Sequence, residues 1–429
     1  MPTDTQLKIK PDALAAVLKE QYEAFTQRDS GMPREILADL ADSVAAPQVL
    51  VITGLRRVGK STLLAQIAAR YLKDNFYFVS FEDERLLNFQ VTDFDLLQET
   101  LISIFGERKT FLFDEIQNVP EWERFVRRLH DQGYKFIITG SNASLLSEEL
   151  GTRLTGRSLR IELFPFSFRE FLLFQNVKIP DSRPLTTRQR GLLRRQFDLY
   201  ARSGGIPDAL KFPELDIHKT MYSDVLYRDI AARYKLANAR SLQELSFFLL
   251  ANAANLVSFN KLKNLLRLGS VNTVKNYIAY LENSWLFFTV HKYAASIKEQ
   301  QIAPKKVYSI DSGLARSVGF AFSENRGRML ENIVFLHLRR RQREIFYYKT
   351  AENYEVDFWL PADKILLQTA SGVFQTQTRE REVRALISAA QSLKRARKYI
   401  LITENLNSVI RQSGLSIQVK PAYEWLLFD

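Results

Sequence analysis

The segment 54–61 constrains this chain more than any other. It reads Gly54-Leu-Arg-Arg-Val-Gly59-Lys60-Ser61, entered from the apolar run 48–53 and followed by a helical pattern from residue 60 to about residue 72. A short continuous apolar run before a Gly-rich turn reads as a strand buried on both faces. Glycines in the turn let backbone N–H groups point at phosphate oxygens, and the following helix N-terminus adds a favourable dipole. In that context Lys60 is expected to reach the β- and γ-phosphates of ATP, and Ser61 to ligate Mg²⁺. Gly54, Arg56, Arg57, Val58, Gly59, Lys60, Ser61 and Thr62 form the expected cradle. Arg56 and Arg57 also have the reach to meet a partner subunit. The alternative is a strand–turn–helix without a ligand, and the flanking strand and helix argue against it.

A second element supports the first. The apolar run 110–113 ends in Asp114-Glu115. Asp114 is the candidate for the Mg²⁺ shell, and Glu115 for orienting and activating water. An exposed acidic pair at a strand end is the alternative. The next apolar run, 135–139, leads into Gly140-Ser141-Asn142. Ser141 is there the candidate sensor of the γ-phosphate, against a plain turn. Leu154-Thr155-Gly156-Arg157 follows. Arg157 is a candidate for stabilising transition-state charge in a neighbouring subunit, with Arg153 competing for the role and a surface salt bridge as the other reading.

Strands alternating with helical patterns predict an α/β fold, a parallel sheet covered on both faces over residues 1–175. The N-terminal stretch contributes a helix with Leu14, Val17, Leu18 and Tyr22 at helical spacing. Residues 176–240 read as a helical connector, opening on a loop with Pro180 and Pro184 and broken at Gly204-Gly205-Ile206-Pro207. Residues 259–266, a turn at 268–270 and residues 271–283 read as helix, turn, helix. A strand at 285–290 and a wing over 292–307 complete a winged-helix segment within 241–310. Polar and basic Ser270, Asn272, Thr273, Lys275 and Asn276 at the start of the second helix suit groove or phosphate contact. A module used only for protein packing is the alternative.

Charge separates the halves. The net charge is +12, yet residues 1–218 hold 29 Lys+Arg against 30 Asp+Glu. Residues 219–306 hold 13 against 5, and residues 326–400 hold 15 against 8. A localised basic excess suits a polyanion, and a solvated surface is the plainer reading. The chain has no cysteine and four histidines without close spacing, which excludes thiolate chemistry and argues against a zinc site. The first residues lack the layout of a signal peptide, and no apolar run nears the ~20 residues that span a bilayer. A cytoplasmic protein with no membrane partner is the expectation.

The motifs together resemble a family of predicted AAA-plus ATPases of bacteria and archaea that carry a C-terminal domain of unknown function. The matching pieces run from residues 54–62 through 112–117, 139–146, 154–157, 163–171 and 204–207 to 311–314, 331–332, 355–358 and 424–427. The resemblance implies an oligomeric AAA-plus ATPase with an arginine supplied in trans. Residues 311–429 resemble, in the same sense, the restriction-endonuclease-like fold. Glu331 and Asp357 match its acidic positions, whereas Gln368 stands at the second strand acid and Ala370 at the lysine. A metal-dependent nuclease needs carboxylates for its cation and a group near its water. The expected result is an inactive nuclease fold kept for binding. Its basic run Arg339-Arg340-Arg341-Gln-Arg343, with Tyr347 and Tyr348, suits a phosphate backbone and base stacking, against a solvated helix face.

Three functions follow. The leading one is Mg²⁺-dependent ATP hydrolysis by a homo-oligomer, coupled to DNA binding or remodelling through the basic C-terminal half. The second is a nucleotide-dependent switch or scaffold that binds protein and no DNA. The third, an active nuclease, is argued against by Gln368 and Ala370.

Overall fold

A computed structural model describes residues 10–141, 154, 156–236, 238–319, 326–341, 343–371 and 376–429. The chain forms two compact units, Met1–Leu163 and Phe164–Asp429. The helix Phe168–Phe174, which sequence pattern joins to the first sheet, falls in the second unit.

The first unit is built on a five-stranded sheet of β1 (Val49–Gly54), β2 (Tyr77–Ser80), β3 (Thr110–Asp114), β4 (Lys135–Gly140) and β5 (Ser158–Leu163). All pairs are parallel, in the order β2-β3-β4-β1-β5. Parallel neighbours require crossovers, and the helices Lys60–Ile67, Phe94–Phe105 and Trp122–Asp131 supply them. The strands read as apolar runs because both faces are covered: every residue of β1 is buried. One face carries an aromatic core that includes Phe81, Phe94, Phe111, Phe113, Phe125 and Phe136. Each such ring contributes about 1.5–3 kcal/mol on burial. The helix Pro11–Thr26 closes that core with Leu14, Val17 and Leu18, at the helical spacing the sequence shows. Its Gln21 fixes the end of β2, donating to the Ser80 carbonyl at 3.1 Å and accepting from the Ser80 amide at 2.9 Å.

This order matters for chemistry. The strand bearing the glycine turn (β1) and the strand bearing the acids (β3) are not neighbours; β4 lies between them. Groups at the C-terminal ends of β1 and β3 can therefore meet only around the end of β4.

In the second unit, β6 (Asn255–Val257), β7 (Phe287–Val290) and β8 (Lys305–Ser309) form an antiparallel sheet in the order β6-β8-β7. The helices Ala239–Ala251, Phe259–Leu265 and Val271–Asn283 accompany it. The stretch expected as a wing contains a short helix, Ile297–Ile302, before β8. A second sheet has six strands in the order β13-β14-β12-β11-β10-β9. Here β9 (Phe346–Lys349), β10 (Glu355–Leu360) and β11 (Ile365–Ala370) are antiparallel, while β11, β12 (Lys398–Thr403) and β14 (Leu415–Pro421) run parallel. The hairpin strand β13 (Ser408–Gln412) edges the sheet. The helices Arg326–Arg340 and Thr376–Ser392 lie against β11.

Two distant motifs prove to be one clasp. The Asp311 carboxylate accepts from the Gly205 amide at 2.6 Å and from the Leu314 amide at 2.9 Å, capping the helix Ser312–Val318. Gly204 has φ of +73°, and a Cβ on it would lie 2.0 Å from Asp311 Oδ1, so glycine is required there.

Three arginines of the basic run at 339–343 have partners within the chain. Arg340 donates to the Pro165 and Phe166 carbonyls, Arg341 to the Asp429 carbonyl, and Arg343 pairs with Asp363. Tyr347 is buried and donates to the Pro304 carbonyl, so it offers no face to a base. These side chains tie loops and the last residue to the helix. Among the described residues, no helix is long and apolar enough to cross a membrane.

Candidate nucleotide site and a second charged cluster

The site forms where β1 gives way to the helix Lys60–Ile67. Gly59 is the N-cap with φ of +93°, a left-handed conformation that glycine adopts without penalty. Gly54 is required for a different reason. A Cβ there would stand 2.3 Å from the Leu163 carbonyl oxygen of β5. Arg57 also has positive φ, +65°. Arg56 pairs with Glu82 at 3.1 Å. Val58 is buried, and its carbonyl accepts from Arg34 Nη1 at 2.8 Å. Ser61 and Thr62 are half-buried in the first helical turn.

Lys60 is 5% exposed. Its Nζ lies 3.4 Å from the Gly54 carbonyl, 3.3 Å from that of Leu55, and 3.2 Å from Glu115 Oε1. Ser61 hydrogen-bonds the Asp114 carboxylate. Lys60, Ser61, Asp114 and Glu115 are thus brought together from segments some fifty residues apart. Burial, then the neighbouring Glu115, raises the Asp114 pKa despite hydrogen bonds from Thr139 and Ser61. Burial also penalises the Glu115 carboxylate, but Lys60, Gln117 and Arg56 together outweigh it and hold its pKa below the usual value. These neighbours favour the ionised form of Glu115. The residue adopts φ of +50°, a left-handed conformation that costs a non-glycine residue about 1–2 kcal/mol.

Thr139 on β4 makes the connection that the strand order demands. Its hydroxyl donates to Asp114 Oδ1 and accepts from the Glu115 amide at 3.0 Å. Ser141, the residue singled out from sequence, touches the site one step further out. It accepts from Gln117 Nε2 at 3.3 Å, and Gln117 also donates to Glu115. Strand alternation puts both 139 and 141 on one face, so the pattern could have nominated Thr139 equally.

Arg34 has no motif to announce it. It is buried, and beyond Val58 its amide binds Gln66, whose side chain in turn holds the Ser30 and Met32 carbonyls at 2.7 and 2.8 Å. Residues 30–34 thereby strap the glycine turn to its helix.

The structure does not bring Arg157 to this site within its own chain. Val49 pairs with Ser158 and Gly54 with Leu163, so Arg157 precedes β5 at the opposite end of the sheet. A rise of about 3.3 Å per residue over the six residues to Leu163, the partner of Gly54, separates it from the glycine turn by roughly 20 Å. It pairs with Asp131 at 3.1 Å. Its rival Arg153, like Asn142 and Thr155, lies outside the described residues.

Mg²⁺ fits the donor set. Ser61 and Asp114 offer hard oxygen ligands side by side. Among the described residues no group of three or more His, Cys, Asp or Glu that could hold a metal ion is found.

The second unit holds another lysine among acids. Strand alternation sets Lys306 and Tyr308 on one face of β8, toward Glu331 on the helix Arg326–Arg340. Lys306 Nζ lies 2.8 Å from Glu331 Oε1, 2.8 Å from Glu355 Oε1 and 2.9 Å from Asp357 Oδ1. A cleft of about 400 Å³ opens beside it, lined by Glu331, Asp357, Gln368 and Glu382. Nothing in the local pattern of β8, Lys305-Lys306-Val307-Tyr308-Ser309, sets Lys306 apart in the sequence.

The AAA domain family matches residues 46–172, and a domain of unknown function (DUF8612) matches residues 194–325. The uncharacterised protein MJ1544 of Methanocaldococcus jannaschii is 35% identical over 370 residues, 83% of this chain and 82% of that one. An uncharacterised protein of Haemophilus influenzae is 32% identical, over 88% and 94%. Among solved structures, the Aeropyrum pernix ORC1 protein in complex with DNA is 15% identical, covering 70% of this chain and 96% of that one, with a TM-score of 0.33. AMPPCP-bound DnaA from Aquifex aeolicus is 14% identical, covering 58% and 86%, with a TM-score of 0.26. Likeness at that level carries no argument about partners or substrates.

Proposed function

The chain carries an AAA domain and belongs to the family of MJ1544 from Methanocaldococcus jannaschii, and on that footing we propose that it is a Mg²⁺-dependent ATPase whose basic second unit engages DNA. The observation that supports hydrolysis, beyond nucleotide binding, is the ionised Glu115 carboxylate 3.2 Å from the phosphate-loop lysine. ATP phosphates compete with Glu115 for Lys60. As the ammonium turns to phosphate, the carboxylate is released to accept a proton from water. Ser61 and Asp114 would hold Mg²⁺, which neutralises charge on the transferring phosphoryl group when bound. Thr139 keeps both acids in place. Arg157, remote from its own chain's glycine turn, would act on a neighbouring subunit's nucleotide in a homo-oligomer.

For DNA, the reading rests on the helices Phe259–Leu265 and Val271–Asn283 with the sheet β6-β8-β7, an arrangement like that of a winged helix. We take 176–240 as a connector, 241–310 as the winged-helix segment and 311–429 as the nuclease-like domain. Lys261, Arg267, Asn272, Lys275 and Asn276 are exposed on the paired helices. They would make the phosphate contacts in this reading.

The test is ATP hydrolysis with and without duplex, branched and single-stranded DNA. Stimulation by DNA, lost when Lys261, Arg267 and Lys275 are changed to Glu, is the expected result. Hydrolysis indifferent to DNA, with DNA affinity that does not fall steeply as salt rises, would favour a protein-binding switch instead.

A further inference from the structure

The cluster around Lys306 lies outside the ATPase reading and does not depend on it. Carboxylates gathered in a polar cleft are what a divalent cation seeks, and the nuclease-like reading implies such an ion. The residues present do not fit one. We propose that the Lys306 ammonium is the permanent cation of the Glu331–Glu355–Asp357 cluster, standing where a metal would otherwise bind, so that this cleft excludes divalent ions and cuts no phosphodiester.

The argument is one of valence. An ammonium has three N–H donors. Here Glu331 and Asp357 accept from it at 2.8 and 2.9 Å, and Glu355 Oε1 forms an ion pair with it at 2.8 Å. The acceptors are equally committed. Glu331 Oε1 also accepts from the Tyr308 hydroxyl at 2.7 Å. Asp357 Oδ2 accepts from the Thr369 amide at 2.9 Å and the Thr369 hydroxyl at 2.7 Å, which fills its two lone pairs. Oxygens arranged at hydrogen-bond length from a nitrogen are also too far apart for Mg²⁺, whose ligands sit at about 2.0–2.1 Å.

Gln368 belongs to the same design. Its carbonyl accepts from the Asp357 amide at 2.9 Å while its NH₂ donates to Glu382 Oε2 at 2.7 Å. An ionised acid at 368 accepts only, and would face Glu382 without a proton between them. Glutamine is the side chain this network calls for, and the same choice removes a metal ligand. Lys306 comes from β8, far in sequence from the lysine position that Ala370 leaves vacant.

Mn²⁺ binding to the full-length protein without nucleotide, followed by calorimetry and electron paramagnetic resonance, tests this. The Asp114→Asn background removes the N-terminal ion site. In that background the otherwise unaltered chain should show no saturable Mn²⁺ binding and no Mg²⁺- or Mn²⁺-dependent nicking of plasmid DNA. Lys306→Ala should gain a saturable Mn²⁺ site, lost again when Asp357→Asn is added. A folded Lys306→Ala protein that gains no site would overturn the proposal. So would Mn²⁺ binding or nicking by the chain with Lys306 intact that Asp357→Asn removes. This second arm decides the matter even if the alanine variant does not fold.

Discussion

Both units bury a lysine beside carboxylates, and the two lysines are held in opposite ways. Lys60 has one carboxylate at 3.2 Å and two backbone carbonyls at 3.3 and 3.4 Å, all long contacts. Lys306 has three carboxylates at 2.8–2.9 Å and is 2% exposed. A loosely held ammonium can be claimed by an arriving anion. One held by three acids at 2.8–2.9 Å cannot, and it becomes part of the framework. The difference teaches that residue type and burial do not separate a lysine open to an anion from a structural one; the charge and distance of its partners do.

The comparison can be broken most sharply at Glu115. Glu115→Gln should lower ATP hydrolysis by about 10²–10⁴-fold while nucleotide binding persists, measured by steady-state turnover and by titration with a fluorescent nucleotide. Unchanged turnover would remove Glu115 as the base.

Next comes the contrast between the lysines themselves. Removing one member of a buried ion cluster costs about 3–5 kcal/mol, so Lys306→Ala should sharply lower the denaturation midpoint. Lys60→Ala should abolish hydrolysis yet leave the midpoint nearly unmoved. Equal destabilisation by the two changes would erase the distinction.

Acidity offers a third test. Burial first, then the adjacent Asp357, push the Glu331 pKa up to about 8. Below the ordinary glutamate value the acid is protonated whether folded or not. Between about 4.5 and about 8 the folded chain keeps a proton that the unfolded chain releases, so this group's stabilising contribution falls as pH rises through that window. Lys306, whose pKa is raised well above its usual value, loses its contribution only at far higher pH. Glu331→Gln, followed by denaturant titration from pH 5 to 9, should flatten the slope. An unchanged slope would assign it elsewhere.

The smallest effect should come from Thr139→Val. It keeps the shape and deletes the hydroxyl that Asp114 and the Glu115 amide share, costing about 1–3 kcal/mol in stability. Hydrolysis should fall more than nucleotide affinity. The same change at Ser141 should matter less.

The legible parts of this molecule were those whose physics is local. β1, β3 and β4 show as apolar runs, and the glycine turn shows because its conformation needs specific residues at fixed spacing. The helix-turn-helix at 259–283 was legible for the same reason. What escaped depends on partners far along the chain. Arg34 braces Val58, and Lys306 meets Glu331 and Asp357, through the fold alone. The arginines at 339–343 looked like a polyanion track because sequence shows charge but not the carbonyls at Pro165, Phe166 and Asp429 that consume it. Thr139, one step nearer than Ser141, touches Asp114 and the Glu115 amide, and alternation gives the face of a strand but not which residue lies opposite the acids.

The strap at residues 30–34 carries a consequence for anyone who would cut this protein into pieces. Recognisable kinship with AAA domains starts at residue 46, but the folding unit starts earlier. Leu14, Val17 and Leu18 fill the core, and Arg34 grips the glycine turn. A fragment trimmed to the edge of homology would retain every motif residue and lose the scaffolding that sets their geometry. Ancestry and foldability draw their borders in different places here, and an inactive fragment beginning at residue 46 would say nothing against the catalytic residues it contains.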